Sequence, residues 1–180
     1  MKLATIDHGG RSAAAIILPD GSAVPLERVA AALKGDLPVE TSTAFATGDL
    51  QRVIALGPMT ADTTKAIAAA VEAGHLAGVT MQGSAVQLLA PLPHLAKNVF
   101  CVGRNYLEHI AEGERAQNLK IGVTEHPVFF TKPPTSVVGP GADVPIFPKV
   151  SVNIDYEVEL AVVIGKAGRN IAPEQAMEHI

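Results

Sequence analysis

The run Asp155-Tyr156-Glu157-Val158-Glu159-Leu160-Ala161-Val162-Val163-Ile164-Gly165 constrains this chain more than any other stretch. Residues 153–165 form its most apolar strand candidate, and successive side chains of a strand point to opposite faces. Val158, Leu160, Val162 and Ile164 then share one face, and Glu157, Glu159, Ala161 and Val163 share the other. Two carboxylates stand side by side on an otherwise apolar ribbon. If that face is buried, two ionised acids repel and each carries a desolvation cost. A shared proton relieves this, and so does a divalent cation, because carboxylate oxygens are hard ligands suited to Mg²⁺, Mn²⁺ or Ca²⁺. If the strand end is exposed, the glutamates are ordinary solvated charges. Spacing alone leaves both readings open.

A second stretch, Gly103-Arg104-Asn105-Tyr106-Leu107-Glu108-His109-Ile110-Ala111-Glu112, has helical spacing over residues 105–114. Asn105 suits an N-cap, and Glu108 three residues later completes a capping-box pattern. His109 and Glu112 are three apart and share a helical face. A carboxylate beside an imidazole orients the ring and raises its basicity, so the pair can take a proton from water. The alternative is an incidental His and Glu on a surface helix. Lys132 follows the apolar strand candidate 127–130. It either meets an anionic substrate or is a solvated surface charge.

The N-terminal stretch predicts a β-hairpin region, with strands over 2–7, 13–18 and 23–26 and a turn at Pro19-Asp20-Gly21-Ser22. Helices are expected over 27–34 and 61–73, each ended by a glycine, with an irregular segment over 36–48. A short strand is expected over 86–89. Pro91-Leu92-Pro93 favours an extended connector and marks a domain boundary. Strands follow over 98–103 and 127–130. Pro173 with Glu174 opens a last helix, within which the sequence stops. The expected class is α+β: a small N-terminal α/β domain over 1–93 and a second domain over 94–180.

Several function classes are excluded. A net charge of −4 lacks the basic surface that phosphate binding needs, and 4% aromatic residues with no Trp leave little on which bases could stack. The single cysteine, Cys101, excludes an intrachain disulfide framework, fits a reducing compartment, and is expected to pack within its strand. The apolar runs are too short to span a bilayer and no signal-peptide stretch appears, so a cytoplasmic protein is expected, binding neither nucleic acid nor membrane. No phosphate loop, dinucleotide fingerprint or zinc pattern occurs. His8, His75, His94 and His126 have no partner at ligand spacing and are read as surface or loop residues.

The run Val99-Phe100-Cys101-Val102-Gly103-Arg104-Asn105-Tyr106 with His109 and Glu112 resembles the fumarylacetoacetate hydrolase family. So do Pro127-Val128-Phe129-Phe130-Thr131-Lys132-Pro133, Gly139-Pro140-Gly141 with Pro148, and above all 155–165. The resemblance covers roughly residues 97–180, and the motifs occur in family order. It implies the first part of a mixed β-roll catalytic domain, a homodimer, and Mg²⁺ or Mn²⁺, with Ca²⁺ a third candidate. Residues 1–93 resemble the variable N-terminal domain of bacterial members. By the resemblance, Glu157 and Glu159 match metal-binding glutamates. His109 and Glu112 match a water-activating dyad on a mobile lid. Lys132 matches a lysine near the site, and Arg104 and Tyr106 are candidate substrate contacts. The family's third acidic ligand, an aspartate, falls after the helix at which the chain stops, so a truncated catalytic domain is expected.

The implied activity is metal-dependent hydrolysis of a carbon–carbon bond in an acylpyruvate or other β-diketo acid. Decarboxylation or keto–enol isomerisation of a 2-oxo diacid at the same site is the alternative. A third reading is an inactive fragment that serves only as an assembly module.

Overall fold

The computed structural model describes residues 2–120 and 122–180. The chain opens with β1 (Lys2–Asp7) and β2 (Ser12–Ile17), paired antiparallel from Lys2↔Ile17 to Asp7↔Ser12, and β3 (Ala23–Pro25) adds antiparallel to β2. The turn before β3 is held by Asp20, whose Oδ1 accepts from the Ser22 hydroxyl at 2.6 Å and the Ser22 amide at 2.9 Å. The hydroxyl first and then the amide lower the Asp20 carboxyl below its ordinary value of 3.8. Gly21 sits there at φ 83°, a conformation that costs other residues a Cβ clash.

Helices α1 (Leu26–Ala32), α2 (Val39–Ala46), α3 (Leu50–Ala55) and α4 (Pro58–Glu72) follow. Strand periodicity explains the core. Ala14 and Ile16 from one side of β2, with Leu18 just past its end, join a cluster with Val24, Leu26, Val29, Phe45, Leu50, Val53 and Ile67. Ala13 and Ala15 project from the other side and pack with Ile6 and Ala23. Both outer strands gain partial cover. Asp7 donates to Gln87 O and Leu89 to Thr5 O, both at 2.9 Å, while Ala23 and Met81 exchange bonds at 3.0 and 2.7 Å. The expected strand over 86–89 is thus a single bridge, Ile6↔Leu88, because Pro91 and Pro93 follow at once.

The segment expected to be irregular over 36–48 contains α2. Thr41, Ser42 and Thr43 cost roughly 0.5 kcal/mol each against alanine in a helix. Full burial of Phe45 contributes roughly 2–3 kcal/mol. Packing therefore outweighs propensity. Asp49 caps α3 by accepting from the Gln51 amide at 2.9 Å. Pro58 at the first turn extends α4 three residues upstream of the expected start at residue 61.

Two units divide the chain. One comprises the residues up to Leu92 together with Gly139–Ile180, and the other is Pro93–Val138. The second unit contains β4 (Val99–Gly103), α5 (Leu107–Gln117) and β5 (Val128–Lys132), with β4 and β5 paired antiparallel. In the first unit Gly139 lies against residues 89 and 90. A Cβ there would fall 2.9 Å from the Leu89 carbonyl carbon, so only glycine permits the approach.

The strand expected over 153–165 does not form. These residues run without turn, bend or helix, and among the described residues no backbone–backbone hydrogen bond joins 154–164 to another segment. A strand exists only through a hydrogen-bonded partner strand, and residues 153–165 are in none of the sheets found among the described residues. The last helix is 3₁₀ rather than α, over Pro173–His179. The arrangement is α+β, and among the described residues no helix is long and apolar enough to cross a membrane.

Thr41 is fully buried, and its hydroxyl has no hydrogen-bond partner among the described residues. Replacing Thr41 with valine keeps its shape and removes the unmet group, so urea unfolding should show a gain of about 1 kcal/mol. A loss of stability would contradict the packing described for α2.

Candidate functional site

Four candidates, Arg104, Tyr106, His109 and Glu112, fall within one nine-residue stretch of one unit. Strand β4 ends at Gly103, and Arg104 follows at φ 55°, in the left-handed region. Tyr106, at φ −101° and ψ 137°, is the residue from which α5 starts. The expected Asn105 cap is therefore displaced by one residue, and α5 has no side-chain cap hydrogen bond. On α5, Ile110 is buried and anchors the helix, while His109 and Glu112 lie one turn apart on its exposed side.

Strand register places Lys132 differently. Gly103 pairs with Val128, whereas Lys132 pairs with Val99 at the other end of the ribbon. Four residue steps separate those ends, about 13 Å of strand rise. Lys132 therefore stands apart from Arg104 and Tyr106. Its ammonium lies 6.0 Å from the Phe130 ring centroid, at the outer limit of a cation–π contact.

Glu157 and Glu159 belong to the other unit, on the run that lies outside any strand. Both are exposed, as are Tyr156, Val158 and Leu160 at 87%, 89% and 82%. The exposed reading of the pair fits this geometry, and burial does not force the two acids to share a proton. Chemically the donors still suit a hard divalent cation. Such ions take about six oxygens or more, and two glutamates supply only part of that shell. Among the described residues no three His, Cys, Asp or Glu side chains cluster closely enough to hold a metal ion.

One polar group was not apparent from spacing. His8 Nδ1 contacts Glu27 Oε1, and Arg28 Nη2 lies 3.0 Å from His8 Nε2. Arginine can only donate, so Nε2 accepts and the ring proton sits on Nδ1, donated to Glu27. Arg28 also donates to Thr80 O at 3.3 Å. His8 thus ties β1 to α1 rather than lying free on the surface. Nineteen residues separate His8 from Glu27, so only the folded sheet brings them together.

Comparison with known proteins cuts across the two units. Residues 98–180, which include all seven candidates, match the family described as fumarylacetoacetate (FAA) hydrolase, C-terminal. Residues 98–180 are similar to that family over 83 of the chain's 180 residues. Oxaloacetate tautomerase YisK of Bacillus subtilis is 45% identical over 98 residues, 54% of this chain and 31% of that protein. Human oxaloacetate tautomerase FAHD2A, named as mitochondrial, is 44% identical over 97 residues, 54% of this chain and 28% of its own length. The solved fumarylacetoacetate hydrolase of Exiguobacterium antarcticum aligns with a TM-score of 0.60 and 28% identity, over 99% of this chain and 52% of that one. The matched stretch spans under a third of those two curated relatives. The matched stretch contains β4, α5, β5 and the exposed run.

Arg104 tests whether the turn into α5 is structural or reserved for its side chain. A left-handed residue with a Cβ costs roughly 1–2 kcal/mol, and glycine removes that cost. Arg104→Gly should therefore unfold at the same temperature as the parent or higher. A lower melting temperature would mean that the guanidinium holds the turn.

Proposed function

We propose that residues 94–180 supply the catalytic groups for divalent-metal-dependent keto–enol tautomerisation of a 2-oxo diacid, oxaloacetate being the first substrate to test. The observation that carries this reading is the 45% identity to a protein named an oxaloacetate tautomerase. In the same reading residues 1–93 are a separate N-terminal domain, and the protein acts in the cytoplasm as a homodimer.

Glu157 and Glu159 would hold Mg²⁺ or Mn²⁺ through their carboxylate oxygens. When bound, the cation would polarise the 2-oxo and carboxylate oxygens of the substrate. His109 would accept the C3 proton at one ring nitrogen. The electrons of that C–H bond would become the new carbon–carbon double bond, and the carbonyl oxygen would gain a proton from water. Glu112, one turn along α5, would orient the imidazole. Arg104 and Tyr106, at the start of that helix, would meet a substrate carboxylate. Lys132 would contribute long-range attraction for an anion, since it lies at the far end of the ribbon.

A second reading, hydrolysis of an acylpyruvate, draws on the likeness to the Exiguobacterium enzyme over 99% of this chain. There His109 would take its proton from water. The hydroxide so formed would add to the distal carbonyl, and the carbon–carbon bond would break, with the departing carbon taking up a proton.

Both readings are tested by following enol-oxaloacetate decay and acylpyruvate cleavage with the purified chain, with and without Mn²⁺. The expected result is Mn²⁺-stimulated enol decay, lost in Glu157→Gln and reduced about 100-fold or more in His109→Ala. Cleavage without tautomerisation would select the hydrolase reading. A folded chain that adds nothing to the buffer rate in either assay would contradict both.

A further inference from the structure

We propose that His8 is a proton-operated latch. While neutral, its ring holds Arg28 against the segment 79–81 at the β3 edge. Protonation of the ring releases Arg28 and loosens that segment.

The latch joins three pieces of the first unit that are distant in sequence. His8 follows β1 and opens a turn in which its amide donates to Arg11 O at 2.8 Å. Glu27 and Arg28 lie in the first turn of α1. Thr80 precedes Met81, which exchanges backbone hydrogen bonds with Ala23 at the start of β3. The Arg28 guanidinium spans the gap between these pieces. Its Nη2 lies 3.0 Å from His8 Nε2, and its Nη1 donates to Thr80 O at 3.3 Å. The side chains of His8 and Glu27 are 21% and 23% exposed, so solvent protons reach the ring without unfolding the unit.

Glu27 and Arg28 of α1 face the ring itself. Arg11, across the turn, stands 4.0 Å from the second carboxylate oxygen of Glu27. Asp7 is engaged by the Gly10 amide, whose hydrogen bond its Oδ1 accepts at 2.8 Å. The segment 79–81 carries no charged side chain and meets Arg28 through the Thr80 carbonyl.

Proton bookkeeping at the ring decides the state. A neutral imidazole has one N–H and one acceptor nitrogen, whereas the charged ring has two N–H groups and no acceptor. Arginine has donors only. With Nδ1–H donated to Glu27, a second proton enters at Nε2, the atom to which Arg28 donates. Two donors and two positive charges then face each other, and like charges at that range repel. Glu27 keeps His8 in place in both states, because an imidazolium donates to a carboxylate more strongly than a neutral ring does. Arg28 is therefore the partner that moves, and its bond to Thr80 goes with it. The Ala23–Met81 backbone bonds and the buried Val79 are left to hold the segment. Histidine side chains ordinarily change charge in the physiological range, so the latch operates under ordinary conditions.

The test is nitrogen-15 NMR of the full 180-residue chain. Spectra and amide exchange protection are recorded from about pH 8 to about pH 5, the range in which histidine titrates. Long-range proton–nitrogen spectra read the protonation of each ring nitrogen. His8 is expected as the Nδ1–H tautomer at the upper end and as the doubly protonated ring at the lower end. Across that change the protection of the Met81 amide should fall about tenfold, the effect of losing one charge-assisted hydrogen bond. Protection of the Ala14 amide should hold. His8→Gln can still donate and accept but does not titrate, so its Met81 protection should not depend on pH. Arg28→Met should show low Met81 protection at every pH. An Nε2–H tautomer at the upper end overturns the proposal, because that ring could not accept from Arg28. A ring that keeps one protonation state throughout overturns it too, as does unchanged Met81 protection while the ring titrates. A pH-dependent loss that persists in His8→Gln contradicts it, since another group then acts. Parent-like Met81 protection in Arg28→Met contradicts it as well.

Discussion

Burial of both faces of β2 is the interaction on which the ordered part of this chain depends. β2 lies between β1 and β3, so its backbone groups are satisfied on both edges. Its residues alternate between two apolar clusters. Alanines at 13, 14 and 15 keep the surface low, and Ile16, Leu26, Val29, Val53 and Phe45 fill the space on the helical side. The helices α1 to α4 hold their positions because their apolar stripes have that sheet to meet. Removing the sheet would leave α2 with a run of Thr and Ser and no reason to stay helical.

The matched stretch 98–180 lacks an equivalent. Within residues 98–180 only Ile110 is buried among the described residues. Val128, Phe129 and Phe130 are exposed although they lie in a paired strand. Hydrophobic stabilisation scales with area removed from water, so this segment draws little from its own side chains. The same condition leaves His109, Glu112, Glu157 and Glu159 accessible. Groups that would meet a cation or a substrate therefore stand on the least stabilised part of the chain. Mobile catalytic elements are drawn from such regions in general.

Legibility in the sequence followed the range of the interactions involved. The hairpin of β1 and β2, the turn at Asp20 and the α4 helix rest on local periodicity and turn chemistry, and their positions agree with the sequence to within a few residues. α2 was hidden because its stability comes from the tertiary packing of its Phe45 and not from the helix propensity of its residues. The run 153–165 reads as a strand by alternation, yet pairing is a property of two segments and cannot be seen in one. The pairing of His8 with Glu27 was hidden for the same reason. In the candidate site, the one-turn spacing of His109 and Glu112 and the alternation of Glu157 and Glu159 were local and visible. The separation of Lys132 from Arg104 depends on the antiparallel register of β4 and β5, which no single stretch encodes.

Amide hydrogen exchange of the metal-free chain at neutral pH tests the central claim, that folding free energy is concentrated in residues 2–92 while the glutamate-bearing run lies outside any strand. Slow exchange at Ala14 and Ile16, with exchange at 158–164 close to that of an unstructured peptide, is the predicted pattern. Equal protection of both regions in the metal-free monomer would contradict it.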